Sequence, residues 1–322
     1  MKSIILMLLP ALGMTLATVE IRAQSWPTQP LRVVVPIAAG SLTDTVPRVV
    51  FETLSQRLGQ TIVVDNRPGA GTTVGSGLVA RAAPDGYTLL ATSSAHTIVP
   101  SLYAAIDYQP ARDFTAVAPL GSSPFVLVVP PDRGLKAPRD LVSAAKARPG
   151  ALNFASPGVG TASHLSAERF KLSSGIEVEH VPFKGGAEAM ADVMAGRVDF
   201  FFVALGAALP AIRSGKLVAL AVNGANRSHA LPEVPTLKEA GIDNADYPTW
   251  FGLFVPAKTP SDIVARLSRE TVAALQNPQV RDKLANLGVD PLALTPAEFA
   301  AHVEQEFAVN AALVKAAGLK PQ

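Results

Sequence analysis

The 322-residue chain has no cysteine, which excludes disulfide scaffolds, iron–sulfur clusters, thiolate zinc sites and cysteine nucleophiles. An excess of one charge is also missing: 28 basic residues face 26 acidic ones, a formal net charge of +2. No basic stripe interleaved with aromatics occurs, so nucleic-acid binding is set aside. The five histidines are scattered without His-x-x-x-His spacing, which removes the usual zinc pair, and no metal or cofactor is expected. No Gly-x-Ser-x-Gly elbow marks a hydrolase nucleophile. Aromatic residues make up only 6% and charged residues 17%, yet 48% of the chain is apolar. That is too hydrophobic for disorder and, at this length, ample for two buried cores.

The first segment reads as an address. Lys2 precedes an apolar run from Ile4 to Ala17, followed by a polar stretch ending Ile21-Arg22-Ala23. This is the pattern of a signal peptide cleaved near Ala23, giving an exported protein. Spanning a bilayer takes ~20 apolar residues, and no later stretch is long and apolar enough. Removing Lys2, Glu20 and Arg22 takes away one net positive charge and leaves +1.

Short β-branched runs then alternate with helical patterns, the mark of an α/β protein with mainly parallel strands. Strands are predicted at 31–35, 61–64, 88–92, 125–129, 152–155, 178–181, 198–203, 217–222 and 251–255. Val33-Val34-Val35 and Phe200-Phe201-Phe202 lack polar alternation, as expected of strands covered on both faces. Val46, Val49, Val50, Leu54 and Leu58 share one helical face, and Pro47, lacking an N–H, should sit in that helix's first turn with Asp44 as N-cap. Thr259-Pro260-Ser261-Asp262 and Thr295-Pro296-Ala297-Glu298 each read as Thr at N-cap, Pro at N1 and an acid at N3. Prolines 124, 130, 131 and 138 mark a crossover near residue 125, and a second follows residue 222. The expected organisation is a signal peptide at 1–23, a first domain from 24–124 and 224–322, and a second domain at 125–223.

Four glycine- and hydroxyl-rich loops follow strands and precede helices, at 36–44, 68–73, 93–97 and 156–164. In open α/β sheets, ligands bind at the carboxyl ends of strands, where glycines bare backbone N–H groups and a helix start adds positive potential. Apart from Arg67 beside the second loop, these loops hold no Arg or Lys. An anion there would be held by N–H groups and hydroxyls. Gly158-x-Gly160-x-x-Ser163 only partly matches a dinucleotide fingerprint, since serine stands in the third glycine position. Ser94, Ser163, His96, His164 and Asp44 could supply parts of a secreted serine hydrolase, the rival reading, but Ser163 and His164 would point about 100° apart on a helix. His180 lies in an apolar strand and reads as a hydrogen-bonded core residue. Lys184 precedes Gly185-Gly186 in another strand-to-helix loop, where it reads as a solvated lysine. Trp250 and Phe251 read as packing residues.

The run Trp26-Pro27-x-x-Pro30-Leu31-Arg32-Val33-Val34-Val35-Pro36-Ile37-Ala38-Ala39-Gly40 through Asp44 resembles the Bug-type periplasmic receptors of tripartite tricarboxylate transporters. The likeness continues in Val64-Asp65-Asn66-Arg67-Pro68-Gly69-Ala70-Gly71, Pro84-Asp85-Gly86-Tyr87, Ser156-Pro157-Gly158-Val159-Gly160-Thr161-Ala162-Ser163-His164-Leu165, His180-Val181-Pro182-Phe183-Lys184-Gly185-Gly186 and Trp250-Phe251-Gly252-Leu253. The resemblance implies a two-domain type II periplasmic-binding-protein fold with a ligand cleft between the domains. It implies no catalysis, a small organic carboxylate as ligand, and the permease subunits of a tripartite transporter as partner; a monomer is expected. Carried onto matching positions, it nominates Ala38, Ala39, Gly40, Thr43 and Asp44, then Ser94 and Ala95, then Ser156, Gly158, Gly160, Thr161 and His164. Ser41, Thr72, Lys184 and Val203 complete the candidate ligand-binding set. Ser41 and Thr72 depart from the family pattern by adding side chains where backbone usually approaches. Val203-Ala204 stand where a polar or acidic residue is common, which favours an apolar or aromatic acid.

Overall fold

Val33, Val34 and Val35 are exposed by 1% or less, as a strand sandwiched between helices requires. They lie in β1 (Leu31–Val35), which pairs in parallel with β2 (Ile62–Asn66) and β3 (Thr88–Ser93). The computed structural model describes residues 26–247, 249–292 and 294–321, so the signal segment and the cleavage point near Ala23 lie outside the described residues. The strands form two five-stranded sheets. The first has the order β2-β1-β3-β10-β4, with β4 at Phe114–Ser123 and β10 at Thr249–Pro256. The second has the order β7-β6-β8-β5-β9, from β5 (Phe125–Val129), β6 (Asn153–Ser156), β7 (Glu179–Pro182), β8 (Phe200–Ala204) and β9 (Val218–Val222).

The helices follow in chain order. α1 (Leu42–Leu58), α2 (Thr73–Ala80), α3 (Ala95–Leu102) and the short α4 (Pro110–Asp113) precede the second sheet. α5 (Pro138–Ala147), α6 (Ala162–Ser174), α7 (Gly186–Met194) and α8 (Leu205–Arg213) surround it, and α9 (Ser261–Leu275), α10 (Pro278–Asn286) and α11 (Pro296–Ala316) return to the first. One face of the first sheet packs Val46, Val50 and Leu54 of α1 and Leu267 of α9; the other packs Phe299 and Val303 of α11 against Val34, Leu90 and Phe254. The second sheet is likewise covered on both faces, Phe170 of α6 meeting Phe200 and Phe202, and Val193 of α7 meeting Phe201. The result is two α/β units, each with its own core.

Several expectations are corrected. The sheets are mixed: β10 runs antiparallel to β3 and β4, and β5 runs antiparallel to β8 and β9. Each crossover enters its new sheet at the carboxyl edge of the parallel strands, so the strand it delivers runs the other way. β4, absent from the predicted strands, carries Pro119 and Gly121 and pairs with β10 through two register shifts. It is the edge strand, where a missing N–H and a bulge are tolerated. α1 starts after Ser41, so Asp44 stands at its third position and Pro47 falls in the second turn. Thr295 does form a capping box with Glu298, whereas α9 is capped by Pro260 and the Thr259 hydroxyl donates to the Pro256 carbonyl instead.

Candidate functional site

Parallel pairing puts the loops after β1, β2 and β3 at one edge of the first sheet, and the loops after β6, β7 and β8 at one edge of the second. The edge of the second sheet faces the first unit. Phe125 and Asn223 of the two crossovers lie there, and a Cβ built on Gly206, at the start of α8, would sit 2.7 Å from the Leu287 carbonyl. The two sets of loops are therefore brought towards each other.

In the first loop, Ala38, Ala39 and Gly40 are exposed, Ser41 is half-buried, and Thr43 and Asp44 are buried. Gly40 has φ +87°, which favours glycine. Its N–H donates to Asp44 Oδ2 at 2.9 Å. Asp44 Oδ1 also accepts from Asn66 Nδ2 and Arg48 Nε, both at 2.9 Å, and Asn66 Nδ2 donates to the Ile37 carbonyl at 3.1 Å. Asp44 thus fastens the loop to the end of β2 instead of facing it as an open carboxylate. No side chain caps α1, because the Ser41 hydroxyl donates back to the Ala38 carbonyl. The Asp44 N–H donates to the Ser41 carbonyl at 3.0 Å, so among the described residues only the Leu42 and Thr43 N–H groups of the first turn are left to an outside acceptor.

Burial pushes the Asp44 carboxyl up, but hydrogen bonds from Gly40, Asn66 and Arg48 outweigh it and hold the group below its ordinary value. Stability from a depressed carboxyl is complete above the unfolded-state value and is lost as pH falls through the folded one. Asp44→Asn is therefore expected to lower the melting temperature at neutral pH, at a cost of about 2 kcal/mol. The gap to the parent should narrow below about pH 4 in thermal unfolding, and a gap independent of pH would contradict this role.

The second and third loops contribute hydroxyls. Thr72 caps α2 in a left-handed conformation at φ +90°, and Ser94 precedes α3 with its N–H donating to the Trp250 carbonyl at 3.0 Å. Thr72 Oγ1 and Ser94 Oγ are both enclosed without a hydrogen-bond partner among the described residues. Ala95 beside Ser94 is half-buried.

Across from these, the Ser156–His164 loop is held by its own side chains. Ser156 Oγ donates to the Gly158 carbonyl at 3.0 Å and lies 2.6 Å from His180 Nε2. Thr161 caps α6 by accepting from the His164 N–H, and its hydroxyl donates to the Gly158 carbonyl. His164 Nδ1 accepts the Gly160 N–H at 3.0 Å, so that nitrogen carries no proton. The His164 ring stacks on His180 at 3.9 Å between centroids, and His180 stacks on Phe154 at 4.8 Å. Burial, with the neighbouring His164 ring, pushes His180 down to about 4, so it stays neutral near pH 7. Behind the stack, buried Glu168 faces His164 Nε2 at 3.7 Å and Lys171 at 2.9 Å. His164 therefore shapes the glycine loop from beneath. Sequence reading missed this stack, and it also missed Leu102 of α3, whose Cδ1 would lie 2.5 Å from a Cβ on Gly160. That contact is where the first unit meets the loop of the second, and nothing in the sequence around Leu102 marks it.

Lys184 is exposed, while Val203, buried beside Leu205 and Ala208, also lines a cavity at the edge of the second unit. The serine hydrolase parts do not assemble: the Ser163 hydroxyl donates to the Phe202 carbonyl, and His96 is enclosed by Phe114, Phe254 and Phe307. Burial pushes His96 down to about 4. What remains is a cleft edge of N–H groups and hydroxyls with little charge, suited to holding a small anion.

Comparison with known proteins gives the same picture. The family described as Tripartite tricarboxylate transporter family receptor matches residues 46–319. The Bordetella pertussis protein BugT is 35% identical over 319 residues, covering 97% of this chain and 98% of BugT. The structure of Rhodopseudomonas palustris Rpa4515 with adipate is similar with TM-score 0.78 and 34% identity, covering 92% of this chain and 100% of that one. MatC from the same organism, with bound malate, is similar with TM-score 0.74 and 33% identity, covering 90% and 100%.

Proposed function

From the premise that this chain belongs to the tripartite tricarboxylate transporter receptor family, we propose that it captures a small organic acid between its two α/β units and presents it to the permease subunits of such a transporter. It is a receptor of the periplasmic solute-binding type. The observation that carries the choice of ligand is the pair of similar structures holding adipate and malate, taken with this chain's own first loop, in which a helix start without a side-chain cap leaves the Leu42 and Thr43 N–H groups as donors to a carboxylate. The proposed domains run 24–124 with 224–322, and 125–223, hinged at the two crossovers. A leader ending near Ala23, a monomeric state and the absence of catalysis belong to the same proposal. The ligand-contacting groups would be Gly40 and its neighbours with Thr72 and Ser94 on one side, and the Gly158–Thr161 backbone on the other. Asp44 and His164 set the shapes of these loops.

A thermal-shift screen against carboxylic acids tests this reading. Stabilisation grows as RT ln(1 + [L]/Kd), so an acid at ~100 Kd should add about 2.7 kcal/mol. If no acid stabilises the protein while a serine-directed probe labels Ser94 or Ser163, the receptor reading fails. Lys184 stands exposed, and Lys184→Ala should change affinity for any bound acid by less than about threefold in calorimetric titration. A hundredfold loss would instead place an ion pair at the centre of recognition.

A further inference from the structure

Beside the glycine loop of the second unit lies a cavity of about 210 Å³. Its walls include Phe125 from the first crossover, Pro157 from the loop after β6, Ala187 and Met190 of α7, and Ala204 and Ala207 around the start of α8. These segments meet at the sheet edge that faces the first unit. Among the described residues no charged side chain lines the cavity, and the one hydroxyl in its wall, that of Ser163, is committed to the Phe202 carbonyl. Ala187 and Ala207 are exposed and Phe125, Pro157, Met190 and Ala204 half-buried, so this apolar concavity is open. Val159, on the neighbouring glycine loop, adds a 51% exposed apolar side chain.

We propose that this cavity receives the apolar end of the ligand, and that the protein selects monocarboxylic acids with a compact aromatic or branched alkyl tail over dicarboxylic acids. The inference rests on the receptor reading above and narrows it. A cavity of roughly 150 Å³ lined by apolar side chains stays dry and holds benzene, so 210 Å³ has room for one ring or a branched chain of about six carbons. A second carboxylate placed here would lose its water without gaining a cation or a free donor, a strongly unfavourable exchange. The head of the acid meets the N–H groups and hydroxyls of the loops, and its tail fills the space under α8.

Calorimetric titration with acetate, isovalerate, benzoate, phenylacetate, malate and adipate tests the proposal. Each buried methylene should tighten binding about fourfold, so benzoate and phenylacetate should bind at least tens of times more tightly than acetate, and more tightly than malate or adipate. Ala207→Phe and Ala187→Phe, both at exposed positions and checked for a cooperative thermal transition, should collapse the benzoate-to-acetate ratio towards one. If malate or adipate binds more tightly than every tailed acid, the tail assignment falls and the receptor reading stands. If both variants keep the parent's ratio, the cavity is not the tail site. If no acid of either class binds, the receptor reading itself is overturned.

Discussion

Gly160→Val should abolish measurable acid binding, with affinity falling by at least about a hundredfold. Gly160 sits at φ +76°, a region that a β-branched residue enters only with strain, and its added Cβ would press on Leu102 of α3 at 2.5 Å. The first term distorts the loop that His164 holds, and the second wedges the two units apart. Gly40→Val isolates the first term, because φ there is +87° but no atom of the described residues lies within 4 Å of the new Cβ. It should lose less affinity than Gly160→Val. Adding Leu102→Ala to Gly160→Val should recover part of the loss by making room. Calorimetric titration reads all three, and parent-like binding by Gly160→Val would remove this loop from the site.

The largest effect on stability is expected at Asn223, which is fully buried where the two crossovers meet. Its Oδ1 accepts the Phe125 N–H at 2.7 Å, and its Nδ2 donates to the Tyr247 carbonyl at 2.7 Å and to Ser166 Oγ at 3.0 Å. Its own backbone bonds the same two residues, donating to the Phe125 carbonyl and accepting from the Tyr247 N–H. Asn223→Leu keeps the branch at Cγ with a somewhat larger side chain, but strands the Phe125 N–H and takes the closer donor from the Tyr247 carbonyl, both away from water. Each costs ~1–3 kcal/mol, so a loss of about 3–4 kcal/mol follows, equivalent to a fall of roughly 10 °C in melting temperature. Differential scanning calorimetry would decide it, and a shift under about 2 °C would mean that the crossovers are held by other contacts.

Much of the fold was legible because its signals are local. Val33–Val35 and Phe200–Phe202 declare doubly covered strands by their lack of alternation, and Thr295 and Glu298 declare a helix start within four residues. β4 was hidden because edge position, which the sequence does not display, is what lets Pro119 and Gly121 sit in a strand. Asp44 read as a cap because of Pro47, but the chain tolerates that proline one turn further in and uses the carboxylate to reach back to Gly40. The loops of the site were recognisable as glycine and hydroxyl clusters. Their supports were not: Ser156 and His180 are 24 residues apart, and Phe125, Met190 and Ala207 come from three separate segments. Only the folded chain makes such residues neighbours.

The placement of β10 has a consequence for the order in which the molecule can form. β10 lies between β3 and β4, but it enters the chain only after the whole second sheet. As the polypeptide grows from its N-terminus, β3 and β4 must wait with their facing edges unpaired until residue 256 exists. The second sheet, drawn from one continuous stretch, has no such wait. The unit encoded in the middle is thus the one able to mature first, and the strand that follows it closes the other like a zip.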